Sequence, residues 1–226
     1  MKNRMISLLI TVLVWSGSDL TAQPINWKAL SSAPNWSLGG FAGVEHGLIA
    51  GAQVNRKIRF AVPLVLTATV SLPAGDKPLE DFKINTGAQF RIFEIGSLQF
   101  SGKAEGLFRR YQSDFARLLN FGCEISGTIG YYRSKWFAGA VLGFDKAIVT
   151  HFRHTDLYKS NFPGVVDGWY EPATGGQFYY GVQAGRSWGR LSLYADVGKS
   201  VEQDFSTRPL VPYYGKIGLM VGIGKK

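Results

Sequence analysis

Histidine, serine and acidic residues occur close together at one place in this sequence. His151 and His154 are three positions apart, and Asp156 and Ser160 follow them. A histidine that takes the proton of a serine hydroxyl turns that serine into a nucleophile, so His151, His154 and Ser160 are candidates for catalysis. Two histidines at this spacing also suit a metal ion, but the sequence shows no third ligand, and we predict no metal site. The alternative is that these are ordinary loop residues without a chemical role.

Two glutamates, Glu105 and Glu124, form a second candidate pair. They fall on consecutive predicted strands, where they would face each other. A pair of carboxylates suits acid and base catalysis on a glycosidic bond. Lys103 and Arg109 lie nearby in the sequence, however, and we therefore favour ordinary ion pairing.

The segment 150–175 carries aromatic and basic side chains between two predicted strands. Aromatic residues and arginine on a loop above a rigid scaffold are typical of binding sites. A loop of this length without secondary structure is unusual unless it is functional or disordered. A loop packed on itself is the alternative, and the sequence does not separate the two. The predicted binding residues are Phe152, Arg153, Tyr158, Trp169 and Tyr170.

The elements that must position these residues are strands. Between Leu119 and Tyr131 the odd positions are apolar, aromatic or glycine, whereas the even positions are small or polar. This is the two-residue period of a strand. Pro63 lies inside the third predicted strand and removes a ladder hydrogen bond, so it either weakens that strand or marks a bulge. The ten predicted strands are 36–45, 48–55, 58–70, 82–93, 98–110, 118–132, 136–149, 176–188, 190–200 and 213–224.

The connections between these strands alternate in length. Tight turns are predicted at 56–57, 94–97, 133–135 and 189, and longer segments at 71–81, 111–117, 150–175 and 201–212. Only the first hairpin, around 46–47, is short where a long loop is expected. Short turns on one side and longer loops on the other are typical of transmembrane barrels.

Aromatic residues gather at both ends of the predicted strands, as the two interfacial girdles of such barrels require. The predicted short-turn ring is Trp36, Phe93, Tyr131, Tyr132, Trp136 and Trp188. The predicted loop-end ring is Phe82, Phe108, Tyr111, Phe152, Phe178, Tyr179, Tyr213 and Tyr214. The predicted fold is therefore an all-β, transmembrane, antiparallel up-and-down β-barrel of about ten strands, with eight as the alternative.

The N-terminus has the pattern of an export signal. Lys2 and Arg4 precede an apolar run, and small and polar residues follow it as far as Ala22. We predict a signal peptide over 1–22 with cleavage after Ala22, a periplasmic segment over 23–35 and a barrel over 36–226. No further apolar segment of ~18 residues follows, so the mature chain would have to span a membrane as a closed barrel.

Composition narrows the partners. Charged residues make up 18 % of the chain, below the ~25 % of a typical soluble domain. The formal net charge is +9, but the basic residues are scattered, which argues against nucleic acid. Anionic lipid head groups, an acidic polysaccharide or a merely solvated surface fit this distribution better. The single cysteine, Cys123, excludes an internal disulfide.

The predicted inward face carries charges of both signs. A barrel of about eight strands is filled by its own side chains, whereas about sixteen leave a water channel. Ten strands should therefore enclose a salt-bridged polar core, and a conducting pore is the alternative. The predicted lumen residues are Arg91, Lys103, Glu105, Arg109, Glu124, Asp196 and Lys216.

The chain resembles the small outer-membrane β-barrel proteins of Gram-negative bacteria. The features that carry the resemblance are the signal-peptide end Leu20-Thr21-Ala22-Gln23, the girdle aromatics, and strands such as Gln177–Trp188 that combine glycine and aromatic residues. The resemblance implies an outer-membrane location. Such barrels usually end on an aromatic residue that the assembly machinery reads, whereas this chain ends Gly224-Lys225-Lys226, which suggests a variant signal.

The function that these features favour is a non-enzymatic surface binding or accessory component that acts through its outer loops. A narrow channel for small solutes and a lipid- or glycan-modifying enzyme are the alternatives. We expect no cofactor and no nucleic acid. The expected partners are outer-membrane lipid and either another envelope protein or a surface glycan.

Overall fold

The computed structural model describes residues 24–30, 33–45, 47–75, 80–172, 176–206, 209 and 211–224. The predicted signal peptide, its cleavage point after Ala22 and the ending Lys225-Lys226 lie outside these residues. The strands are β1 (Trp36–Val44), β2 (Leu48–Ile58), β3 (Leu64–Pro73), β4 (Asp81–Ile95), β5 (Leu98–Gln112), β6 (Ala116–Tyr132), β7 (Trp136–His154), β8 (Gly168–Tyr170), β9 (Gly176–Trp188), β10 (Leu191–Glu202) and β11 (Tyr213–Ile223). Two short helices are α1 (Trp27–Leu30) and α2 (Asp156–Asn161).

Ten of these strands close into one barrel. Each pairs in antiparallel register with its neighbours in chain order, and β1 closes the ring on β11, with Trp36 opposite Ile223. β8 is additional and pairs with the C-terminal part of β7. The predicted all-β antiparallel barrel of ten strands is thus confirmed. No helix in the described part of the chain is long and apolar enough to cross a membrane.

The barrel is polar inside and apolar outside. Glu124 and Asp196 are fully buried, whereas Ile125 and Leu142 expose about three fifths of their surface on the opposite face of the same sheet. Alternate residues of a strand point to opposite faces, so one strand supplies both environments. This distribution reverses that of a water-soluble barrel and matches barrels that lie in lipid.

Two predicted strand boundaries were wrong. β2 continues through Arg56 and Lys57 to Ile58, and β3 begins only at Leu64. Pro63 therefore precedes a strand and does not interrupt one, which suits a residue that cannot donate to the ladder. The segment 59–63 is the first short-turn connection.

The prediction that 150–175 lacks secondary structure was also wrong. β7 continues to His154, with Ile148 as the extra residue of a bulge opposite Phe121 and Gly122. A bulge shifts the alternation of side chains by one position, which explains why this strand has a poor two-residue pattern. Helix α2 and strand β8 occupy most of the remaining segment.

Several predicted girdle aromatics lie inside the barrel. Tyr131 is exposed on the outside, but its neighbour Tyr132 is buried and stacks on Phe137 at 5.6 Å. Tyr179 and Tyr214 are likewise buried in the lumen. Consecutive residues of a strand cannot both face outward, so only one of each pair belongs to the girdle.

The lumen aromatics fit because glycines lie beneath them. A Cβ atom at Gly143 would collide with the Tyr179 ring, and one at Gly218 would collide with the Tyr194 ring. A strand without a side chain at these points lets a ring lie flat against its backbone. This packing is one reason for the high glycine content.

Candidate functional site

The middle of the lumen is crossed by a connected polar network. Glu124 accepts hydrogen bonds from Lys103 Nζ at 2.5 Å, from Tyr179 Oη at 2.5 Å and from the Asn85 amide at 3.0 Å. Glu105 accepts from the same lysine at 3.2 Å and from the Thr67 hydroxyl at 2.7 Å. Glu105 and Glu124 are register partners on β5 and β6, and the Lys103 ammonium group binds both carboxylates and reduces the repulsion between them.

This network joins opposite walls of the barrel. It begins at Tyr179 on β9 and ends at Thr67 on β3, five strands away in either direction around the ring. Every side chain in it is almost completely buried. The other half of the cross-section is filled by Tyr194, which lies 3.5 Å from Gln53, and by Tyr214, whose hydroxyl donates to Asp196 at 3.4 Å.

The predicted lumen residues all lie on the inward face. Lys216 forms an ion pair with Glu45 and lies over the Phe41 ring. Arg109 makes two hydrogen bonds to Asp81, at 3.1 and 2.9 Å. Arg91 forms an ion pair with Glu94 at the short-turn end.

The N-terminal segment closes the short-turn end of the barrel. Ile25 and Trp27 are buried against Val65, Tyr132 and Phe137. The Asn26 amide donates to the Arg133 carbonyl and to the Ser187 hydroxyl, each at 3.1 Å. Lys28 forms an ion pair with Glu94. Two apolar side chains and three polar contacts thus hold this segment in the mouth of the lumen, and we name residues 24–30 the plug.

Among the described residues, the loop end of the lumen contains an open cavity. A cavity of about 260 Å³ lies above the polar network, lined by Lys83, Leu107, Arg109, Leu118, Asn120, Asp145, Ala147, Thr150, Phe152 and Pro172. A neighbouring recess of about 120 Å³ shares Lys83 and Arg109. We name the two together the vestibule. Its charges are balanced, since Lys83 lies 3.7 Å from Asp145 and Arg109 is paired with Asp81.

A folded cap formed by β8 and α2 stands beside the vestibule. Thr155 caps the start of α2 and donates its hydroxyl to the Asp114 carbonyl at 2.9 Å, which ties the helix to the turn between β5 and β6. Asp167 accepts from the backbone of His154 at 2.9 Å, from His154 Nδ1 at 3.0 Å and from Lys159 at 2.5 Å. The hydrogen bond from Lys159, together with those from His154, holds the pKa of Asp167 well below its usual range.

The cap separates the predicted binding residues into two groups. Phe152 and Tyr170 meet edge to face at 5.3 Å on the inward side, and Tyr158 stacks on His154 at 5.2 Å. Trp169 instead contacts His151 and Phe121 on the outward side, and Arg153, the register partner of Arg117, also points outward. Residues next to each other on a strand face opposite ways, so a single loop sequence supplies both an inward wall and a part of the outer surface.

The catalytic candidates are not brought into one arrangement. His151 and His154 lie on opposite faces of the sheet, because three positions separate them on a strand. The Ser160 hydroxyl donates to the Leu157 carbonyl of its own helix at 2.8 Å. No group of three or more histidine, cysteine or acidic side chains that could hold a metal ion occurs among the described residues.

The sequence patterns did not predict the plug, the bonds that Asp167 accepts from His154 and Lys159, or Tyr179 as a member of the polar network. The apolar pair Ile25 and Trp27, ahead of the first strand, was the one available signal for the plug. Nothing in the sequence around Asp167 distinguishes it from the other loop carboxylates.

Replacing Asp167 by asparagine should release the cap. An aspartate with a lowered pKa stabilises the folded state above its unfolded pKa and loses that contribution as pH falls through the folded value. We therefore expect α2 amides to stay protected from hydrogen exchange from pH 7 down to ~4, the ordinary aspartate pKa, and to lose protection only below it. Asp167→Asn should lower that protection above pH ~4, and the two proteins should converge at lower pH, where the wild-type carboxylate is protonated as well. Asp204→Asn, on another loop, is the matched control. Equal protection at pH 7 in wild type and Asp167→Asn would show that Asp167 does not hold the cap in place.

No protein-family model matches this chain, and no curated protein matches it. Among solved structures, a KdgM porin and a KdgM porin in complex with disordered oligogalacturonate are similar to it. Each is 12 % identical, with a TM-score of 0.41, and the match covers 83 % of this chain and 99 % of that one. A likeness this distant carries no assignment of ligand or activity.

Proposed function

We propose that this protein is an outer-membrane barrel that binds a small polar ligand at its loop end and does not conduct solutes. The apolar outer face and the exposed girdle tryptophans Trp36, Trp136 and Trp188 support the membrane location. The observation that carries the binding role is the vestibule, which in the described part of the chain opens toward the loop end and has the polar network as its floor.

The lining of the vestibule suits a carbohydrate. The larger of its two cavities, of about 260 Å³, lies near the lower limit of the ~300–1,000 Å³ typical of ligand pockets. Balanced charges and the Asn120 and Thr150 side chains offer hydrogen bonds to hydroxyl groups. The Phe152 and Tyr170 rings provide an apolar wall on the same side. A neutral sugar residue of a surface glycan has this combination of hydroxyl groups and apolar faces.

Binding of purified protein in detergent to an array of bacterial surface glycans tests this role. We expect Phe152→Ala with Tyr170→Ala to weaken capture by roughly tenfold or more, since each ring contributes about 1 kcal/mol or more at a buried contact. Phe205→Ala, an exposed ring on another loop, is the control and should bind as the wild type does. Capture that is unchanged in the double variant would contradict the proposal.

Planar-bilayer recording tests the closed state. The plug and the polar network lie in series, so the wild-type protein should show no conductance steps. Regular steps in wild-type protein would instead favour the narrow channel.

A further inference from the structure

Three arginines lie together on the outward face at the loop end. Arg117 on β6 is the register partner of Arg153 on β7. Arg110 on β5 faces Leu119, two positions from Arg117 on the same side of β6. Directly opposite and diagonal positions on one face are the near neighbours of a sheet. The three guanidinium groups therefore share one patch of the outer surface, which we name the arginine patch.

No acidic side chain among the described residues forms an ion pair with this patch. Arg110 donates one hydrogen bond to Gln112 at 2.7 Å, but Arg110 Nε and Arg117 Nε are buried without a partner in the described part of the chain. Like charges directly opposite on neighbouring strands are destabilising. An anion that bridges them would relieve both the repulsion and the unmet hydrogen bonds.

The surroundings of the arginine patch fit a lipid head group. A recess of about 280 Å³ lies at the patch, lined by Gln112, Ser113, Arg117, Arg153, His154, Thr155 and Asp156. One step closer to the middle of the barrel, Phe108, Phe121 and Trp169 form a continuous row with ring centroids 5.0 and 5.9 Å apart. A row of aromatic rings below a cluster of arginines provides an apolar support for acyl chains and a charged support for phosphate.

We propose that Arg110, Arg117 and Arg153 bind the phosphate of an outer-leaflet lipid whose acyl chains pack along Phe108, Phe121 and Trp169. Arginine forms paired hydrogen bonds to phosphate oxygens, and its planar donors suit a bidentate contact. Asp156 also lines the recess. Its carboxylate would repel a phosphate, so the phosphate must lie on the side of the recess formed by the arginines. The inference rests on the proposed membrane location and adds a specific lipid partner to it.

Native mass spectrometry of the full-length protein in detergent measures the site directly. The probe is phosphatidic acid, with diacylglycerol of the same chains as the arm without phosphate. Wild type should retain phosphatidic acid and lose diacylglycerol. Arg110→Gln, Arg117→Gln and Arg153→Gln together should weaken retention by roughly tenfold or more, as loss of at least 1.4 kcal/mol requires.

The opposite rim offers a matched control. Arg56, Arg133 and Arg186 also face outward, and each lies over a girdle ring, at 5.0 to 5.2 Å. Their triple glutamine variant removes the same charge and should retain phosphatidic acid as wild type does. Equal losses in the two triple variants would overturn the site, because net charge alone would then explain retention.

A further arm separates lipid from free anion. If inorganic phosphate at the same concentration as the lipid displaces no phosphatidic acid, the site requires acyl chains. Displacement by phosphate at that concentration would show that the patch binds any phosphate anion and would overturn the lipid assignment. Membrane fractionation and heat-modifiability on a gel test the location separately. A membrane-inserted protein that retains no phosphatidic acid would refute this inference and leave the proposed function standing.

Discussion

Replacing Lys103 by methionine is expected to lower the free energy of unfolding by about 3–5 kcal/mol, the usual cost of removing one partner from a buried ion pair. Glu105 and Glu124 would then face each other as buried carboxylates without the Lys103 ammonium group between them. The hydrogen bonds from Asn85, Thr67 and Tyr179 would remain. Urea unfolding of protein refolded in detergent, followed by the shift of the folded band on a gel, measures the loss.

Two further variants identify the cause of that loss. Lys199→Met removes an exterior lysine that lies over the Tyr213 ring and should change stability by less than about 1 kcal/mol. Adding Glu105→Gln and Glu124→Gln to Lys103→Met removes the uncompensated charges, so much of the stability should return. A triple variant as unstable as the single one would show that packing, and not charge, accounts for the effect.

The polar network also shows which structural features a sequence pattern can predict. Alternation placed Lys103, Glu105 and Glu124 on one face, since a two-residue period is a local property of a strand. It did not reveal that Lys103 binds both carboxylates or that the Tyr179 hydroxyl donates to Glu124 from across the barrel. Those contacts depend on the strand register around the closed ring, which brings the Tyr179 ring over Gly143, where the absence of a side chain leaves room for it.

The errors at strand ends have a similar cause. Lys57 appeared to be a turn residue because polar side chains cluster there, yet its Nζ donates to the carbonyls of Leu30 and Ala33, just before the barrel. A contact between β2 and the N-terminal segment is invisible to a local pattern. In the same way, His151 and His154 suggested a site by their spacing, but the strand they occupy turns them to opposite faces.

Trp27→Ala is expected to release the plug without unfolding the barrel. Truncating a buried tryptophan costs about 3–5 kcal/mol when its surroundings stay in place. The plug is a short segment with only one turn of helix, so the chain can avoid part of this cost by leaving the lumen. Lys28, which is paired with Glu94 in the docked segment, would then be accessible to trypsin.

The rate of trypsin cleavage after Lys28 reports this release. Cleavage tracks the population of the open form when opening is fast, so a loss of about 3 kcal/mol predicts cleavage about a hundredfold faster. Trp36→Ala, which removes an exposed tryptophan of the girdle, should leave the rate unchanged. Rapid cleavage in wild-type protein would contradict a docked plug.

Release of the plug and opening of the lumen are separate events. In Trp27→Ala the bonds among Tyr179, Glu124 and Lys103 still cross the middle of the barrel. The variant should therefore remain heat-modifiable and lose its protection at Lys28, yet show no conductance steps in a planar bilayer. Steps in Trp27→Ala alone would mean that the plug is the principal barrier, and the narrow channel would then be the better account of the protein. Their absence, with the cleavage rate raised, would assign closure of the lumen to the polar network.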